Sequence, residues 1–96
     1  MKVTRKILAE KILGYLQHEI SLQQLVNWAE IQVMEGVFDE KDFDLLNDIV
    51  SRIGLADVRA FGLQWEDCEE FLIKLGYNVK VEAKAVKPLY SSKTLR

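Results

Sequence analysis

The stretch that decides the fold is residues 20–36, ISLQQLVNWAEIQVMEG, which carries a helix start signal and a helix stop signal. Ser21 is a favourable N-cap, Gln24 can complete a capping box with it, and Gly36 predicts the helix end. Apolar side chains recur along one arc of this helix, which predicts a buried stripe. The stripe consists of Leu22, Leu25, Val26, Ala29 and Val33. We therefore expect a central amphipathic helix.

Three apolar side chains of the same helix fall outside that buried arc. They are Trp28, Ile31 and Met34. An apolar patch on the surface of a small protein usually marks a contact site, so the helix must touch a second neighbouring element or present the patch to a partner. We predict that the three residues contact a partner.

The same signals predict three further helices. One spans residues 5–18 with Thr4 as N-cap, one spans 40–53 with Asp39 as N-cap, and one spans 65–75 and ends at Gly76. Phe38 is expected to contact Phe43 at the start of the third helix. The helical stripes also include Phe43 and Trp65, and Phe61 between the last two helices is expected in the core. The predicted centre of the core is Leu8, Ile12, Leu25, Ala29, Leu46, Ile49, Val50, Phe71 and Leu72.

Details of the helix ends and faces follow from the same periodicity. His18 would lie in the last turn of the first helix, and Gly14 on the exposed face of that helix. Leu55 would follow Gly54 and contact Val50 at the end of the third helix. These placements assume that each helix continues to its predicted stop signal.

The hydrophobic period changes from 3.6 to 2 after Gly76. Apolar residues then alternate with polar ones, which predicts a β-strand over residues 77–86. Its partner would be the segment Lys2 to Val3, a second copy of the chain or another protein, because a lone strand cannot satisfy its own backbone groups. Residues 87–96 show neither period, and we expect them to be a mobile basic tail. The strand-pairing candidates are Tyr77, Val79, Val81 and Ala83.

The predicted fold is thus mainly α: a small four-helix bundle with one short C-terminal β-strand and a flexible basic tail. Residues 1–86 form the single domain, because 96 residues hold only one core. No apolar run reaches the length of about 20 residues that a membrane span needs. Charged residues interrupt the segment after the basic N-terminus, so a signal peptide is not indicated and a cytoplasmic location is expected.

Charge is divided unevenly along the chain. Residues 1–76 hold eight Lys and Arg against fourteen Asp and Glu, whereas residues 77–96 hold five against one. Because neutralisation of phosphates supplies most of the affinity for nucleic acid, the acidic body argues against a nucleic-acid face on the helices. The basic tail leaves nucleic-acid binding open as an alternative.

No residues combine into a catalytic or metal-binding motif. The chain has one cysteine and one histidine, too few for a closed zinc site, and its acidic run at residues 39–44 lacks the glycine and the final glutamate of a calcium loop. Cys68 falls on the apolar stripe of the last helix, where a buried thiol is expected. We therefore predict a protein that is not an enzyme and has no cofactor.

The segment HEISLQQLVNWA at residues 18–29, set in an acidic helical body, resembles the small bacterial immunity proteins of the colicin D kind. These are helical bundles that block a toxin nuclease by covering its active site. The likeness extends over residues 5–53. It implies a non-catalytic inhibitor whose acidic side chains face the basic cleft of the toxin. Those side chains would include Asp44, Asp48, Glu66 and Glu70.

Three functions remain open from the sequence. The first is an interaction protein of the immunity or antitoxin class, which would bind a basic toxin. The second is a homo-oligomeric adaptor or structural protein, which would show a concentration-dependent mass. The third is a nucleic-acid binder that uses the basic tail, for which the affinity would fall with salt concentration.

Overall fold

A computed structural model describes residues 2–58 and 62–83, and over these ranges the chain is mainly helical. Phe61, residues 84–86 of the predicted strand and the predicted tail lie outside the described residues. The first elements are strand β1 (Lys2–Val3) and helices α1 (Arg5–Leu16) and α2 (Leu22–Glu35). They are followed by strand β2 (Val37–Phe38), a short 3-10 turn (Glu40–Asp42), and helices α3 (Phe43–Gly54) and α4 (Trp65–Lys74). The prediction of a mainly α fold is confirmed.

Side chains cap the first two helices as their sequences predict. The backbone N–H of Ile7 donates to the Thr4 hydroxyl over 3.2 Å at the start of α1. At the start of α2, the N–H of Gln24 donates to the Ser21 hydroxyl over 3.1 Å, and the N–H of Ser21 donates to the Gln24 side chain over 2.8 Å. This reciprocal capping box satisfies two backbone donors that a helix start otherwise leaves unpaired.

Helix α1 ends two residues earlier than predicted, and His18 lies outside it. His18 adopts a left-handed backbone conformation with φ of 65°. The N–H groups of Glu19 and Ile20 both donate to the carbonyl of Gly14, which closes the turn between α1 and α2. Gly14 is therefore buried under this turn and not exposed as predicted.

The two short strands form a parallel pair that the sequence pattern did not predict. Lys2 is in register with Val37 and Val3 with Phe38, and the N–H of Asp39 donates to the carbonyl of Val3 over 2.9 Å. The segment that could have paired with a C-terminal strand thus pairs with the chain after α2. The short span between α2 and α3 is held in place by the N-terminus.

The predicted C-terminal strand is not confirmed, because residues 77–83 form no strand pair with the described residues. Instead, Gly76, with φ of 100°, ends α4 in a Schellman motif: its N–H donates to the carbonyl of Ile73, and the N–H of Tyr77 donates to that of Leu72. The following chain then places Val79 against the core and leaves Val81 exposed. Within residues 77–83, Val79 is partly buried and the other side chains are exposed.

The start of α3 differs in detail from its prediction. The 3-10 turn precedes the helix, and the Asp39 side chain makes no capping hydrogen bond. The rings of Phe38 and Phe43 do meet as expected, edge to face, with their centroids 5.7 Å apart. Phe43 nonetheless remains about half exposed and lies outside the buried core cluster.

All nine residues predicted at the centre of the core are buried in one cluster. Val3, Phe38, Cys68 and Leu75 belong to the same cluster. Helix α2 packs mainly against α3, while α1 contacts the other three helices. Three further apolar residues of the predicted stripes and helix ends are exposed, because they lie in the last turn, at the cap or in the first turn of a helix. These are Val33, Leu55 and Trp65.

Candidate protein-binding face

Helix α3 separates the core from a strip of accessible side chains. Its buried side chains are Leu46, Ile49, Val50 and Ile53. On the opposite side, residues spaced by four, three and four positions share one face, because this spacing follows the helical repeat. We name these residues the α3 strip: Asp44, Asp48, Ser51 and Leu55.

A cleft lies on one side of the α3 strip, between α3 and α4. It is lined by two sets of residues at helical spacing: Leu45, Asp48, Ile49 and Arg52 from α3, and Asp67, Glu70, Phe71 and Lys74 from α4. The structure thus brings two of the predicted acidic contact residues, Asp48 and Glu70, into one cleft. Asp44 lies one turn before Asp48 on α3, and Glu66 is exposed on α4 without lining the cleft.

The charges of this α3–α4 cleft are partly paired. Lys74 lies 3.1 Å from Glu70, and Arg52 lies 3.6 Å from Asp67. Both pairs are substantially exposed to solvent, so each contributes little to stability, on the order of 0–1 kcal/mol. Asp44 and Asp48 form no ion pair with the described residues. A cation from a partner could therefore approach the α3 strip without displacing a strong internal contact.

A groove lies on the other side of the α3 strip, between the C-terminal halves of α2 and α3. We call it the α2–α3 groove, and its described lining is Glu30, Val33, Met34, Ser51, Gly54 and Leu55. Met34, predicted as a contact residue, is 79% exposed at this groove. Val33 was expected in the buried stripe of α2, and Leu55 was expected to contact Val50. Both lie at the C-terminal ends of their helices, and this position is the signal by which the sequence could have identified them.

Trp28 and Ile31 occupy a different surface from Met34. They line a second groove with Val3, Gln32, Glu35, Gly36 and Val37. Trp28 is only partly exposed, packs against the core and has the Lys11 ammonium 5.5 Å from its ring centroid. Ile31 is 54% exposed. The predicted apolar trio of α2 is therefore divided between the two sides of that helix.

The strand-pairing candidates do not form a common surface. Val79 is partly buried against the core, whereas Tyr77, Val81 and Ala83 are exposed. The backbone of Tyr77 is already used in the end of α4 through its hydrogen bond to Leu72. Residues 77–83 form no strand pair with the described residues, and strand addition from a partner stays a prediction.

The reactive side chains lie apart from these surfaces. Cys68 is fully buried, and burial, assisted by the nearby charge of Asp67, raises the pKa of its thiol to about 11. His18 is exposed at the turn between α1 and α2. Among the described residues, no group of three His, Cys, Asp or Glu side chains is arranged to hold a metal ion. The arrangement at the α3 strip is suited to association and offers no nucleophile with a base beside it.

Comparison of the chain with protein-family models, with curated proteins and with solved structures finds no match. In the described part of the chain, no helix combines the length and apolar character that crossing a membrane requires.

Proposed function

We propose that this chain is a non-enzymatic protein-binding module that presents an acidic face to a basic partner. The observation that carries the proposal is the α3 strip, which runs between a charged cleft and an apolar groove and whose Asp44 and Asp48 form no ion pair with the described residues. Residues 1–76, which include helices α1 to α4, hold fourteen Asp and Glu against eight Lys and Arg. Such a field accelerates encounter with a positively charged protein.

The specific role that we propose is inhibition of a toxin nuclease, as implied by the resemblance to immunity proteins of the colicin D kind. A nuclease must attract phosphates, so its active site carries positive charge, and an acidic face can cover that site without any chemistry of its own. In this role, we propose, the chain acts as a single four-helix bundle in the cytoplasm of a bacterium. Glu70 would contribute from the cleft beside the α3 strip.

The experiment is titration of this chain into the purified protein encoded beside it, with nuclease activity and native mass as readouts. We expect a stoichiometric complex, loss of nuclease activity and an affinity that falls as salt increases. The double variant Asp44→Asn with Asp48→Asn should slow association by about tenfold. The matched control, Glu10→Gln with Glu19→Gln, removes the same charge outside α3. Equal effects of the two double variants would contradict a role for the acidic face.

Self-association is a second candidate. It is favoured by the groove at Trp28, where Ile31 of α2 and Val37 of β2 are both more than half exposed. Its test is the native mass between micromolar and millimolar protein. Ile31→Asp should abolish a dimer formed by this groove and leave the toxin complex intact. A monomeric mass over the whole range would reject this candidate.

A further inference from the structure

The α2–α3 groove is lined by apolar side chains that are exposed and do not belong to the core. It encloses about 590 Å³, and three of its lining side chains, Val33, Met34 and Leu55, are each between 46% and 79% exposed. Exposed apolar side chains that line one concave surface are typical of a contact site. A Cβ placed at Gly54, which lines the groove, would make only an ordinary contact, 3.8 Å from Cγ of Glu30.

Charge distinguishes between the possible occupants of this groove. Of the described residues that line it, only Glu30 is charged, and Glu30 forms no ion pair with the described residues. Two copies of the chain docked groove to groove would bring their Glu30 carboxylates, together with the negative charge of both helical bodies, into proximity. Like charges brought together in this way oppose association, whereas a basic segment would be attracted.

We propose that the α2–α3 groove binds a protein segment in which an apolar side chain is flanked by lysine or arginine. The apolar side chain would enter between Val33 and Leu55, and the neighbouring cation would pair with Glu30. Met34 at the edge of the groove can adapt to the shape of the inserted side chain, since its unbranched thioether rotates freely. A buried apolar anchor with a charged rim is the arrangement that supplies most of the affinity in protein interfaces.

This inference rests on the proposed function and extends it. The α3 strip runs along one border of the groove, because Ser51 and Leu55 belong to both. A partner attracted by Asp44 and Asp48 could therefore place an apolar anchor in the groove during the same encounter. The carboxylates would increase the rate of association, and the groove would slow dissociation.

The chain offers a direct spectroscopic probe, because it contains only two methionines, Met1 and Met34. With 13C-methyl methionine, Met34 reports on the groove and Met1 is an internal reference. The ligands are three synthetic helical peptides of twelve residues. The first peptide is an amphipathic helix with leucine on one face and lysine on the other. The second has alanine in place of leucine, and the third has glutamate in place of lysine. We expect only the first peptide to shift the Met34 signal saturably.

Two variants test the two parts of the site. Glu30→Gln should weaken binding of the leucine and lysine peptide by about threefold to tenfold, and Glu35→Gln, which removes the same charge on the same helix outside the groove, should leave it unchanged. Gly54→Leu should abolish the Met34 shift by filling the groove. Gly54→Ala confirms that the position accepts a side chain, since its Cβ makes only ordinary contacts, and circular dichroism verifies that each variant is folded.

Several outcomes would overturn the proposal. They are a Met34 signal that no peptide shifts, equal binding of the glutamate peptide, and a Met34 shift that depends on protein concentration alone, which would assign the groove to a second copy. Failure of the proposed function is separate, because it is measured with the neighbouring protein through Asp44 and Asp48. Peptide binding at Met34 without inhibition of a nuclease would reject the inhibitor role but would still support the α2–α3 groove as a binding site for a basic segment.

Discussion

The guanidinium of Arg5 and the carboxylate of Asp42 lie 2.9 Å apart and join the first turn of α1 to the 3-10 turn before α3. Neither position belongs to a recognisable motif, and the two residues are 37 positions apart in the chain. Arg5 also donates to the carbonyl of Leu75 over 3.4 Å. One side chain thus connects α1 with the start of α3 and the end of α4.

The Arg5 pair predicts how stability depends on pH. The hydrogen bond from Arg5 lowers the pKa of Asp42 below its usual value. The carboxylate therefore stabilises the fold above a pH of about 4, and this contribution is lost as the pH falls through the lowered pKa. In urea melts, Asp42→Asn should lower the stability at pH 7, with a smaller difference from the native protein at pH 3. Asp57→Asn, in an exposed turn, is the control, and an equal effect of both variants would contradict the prediction.

Leu46 and Leu55 provide a matched test of the core. Leu46 is fully buried, whereas Leu55 at the end of the same helix is 46% exposed. Leu46→Ala should cost about 2–5 kcal/mol of unfolding free energy because it leaves a cavity, and Leu55→Ala should cost less than about 1 kcal/mol. The measurement is denaturant unfolding followed by circular dichroism. A cost below about 0.5 kcal/mol for Leu46→Ala would show that Leu46 is not packed in the core.

Two glycines should respond to alanine in opposite directions. A Cβ at Gly14 would lie 3.7 Å from Cγ1 of Ile20, an ordinary contact, so Gly14→Ala should stabilise the protein by up to about 1 kcal/mol through helix propensity. At Gly36 a Cβ would lie 2.6 Å from the carbonyl oxygen of Gln32, so Gly36→Ala should destabilise it by about 1–3 kcal/mol. The measurement is the melting temperature of each variant. Changes of the same sign in Gly14→Ala and Gly36→Ala would contradict the prediction.

The Cys68 thiol should be nearly inert in the folded protein. Its pKa of about 11, well above that of a free thiol, leaves on the order of 100-fold less thiolate at pH 8. Iodoacetamide should therefore modify Cys68 at least about 100-fold more slowly in buffer than in urea, as followed by mass spectrometry. A variant with Cys68→Ala and Asn78→Cys places the thiol on the surface and should react at the rate of a free cysteine. Rapid modification of native Cys68 would contradict its burial.

Val79 and Val81 distinguish the observed chain path from the predicted strand. A strand would place both on one face, and both would then respond alike to truncation. In the structure Val79 packs on the core, while Val81 is 74% exposed. We expect Val79→Ala to cost about 1 kcal/mol and Val81→Ala less than about 0.5 kcal/mol. Equal costs in urea unfolding would favour the strand.

The sequence by itself determined the helices and the centre of the core. The caps at Thr4 and Ser21 and the stop at Gly76 depend on hydrogen bonds that span a few residues, so local pattern suffices to predict them. Periodicity likewise identifies the middle of each buried face. It identifies the buried residues near helix ends less well, because a residue such as Val33 is buried only if another element reaches it.

Only the tertiary structure decided the features that depend on which elements meet. These include the pairing of β1 with β2, the burial of Gly14 beneath Ile20 and the separation of Met34 from Trp28 and Ile31. The same holds for Asp48 and Glu70, which share a cleft because α3 and α4 lie side by side. The period of a single helix defines its apolar and polar sides, but the identity of the element that covers each side is set by contacts between residues distant in the chain.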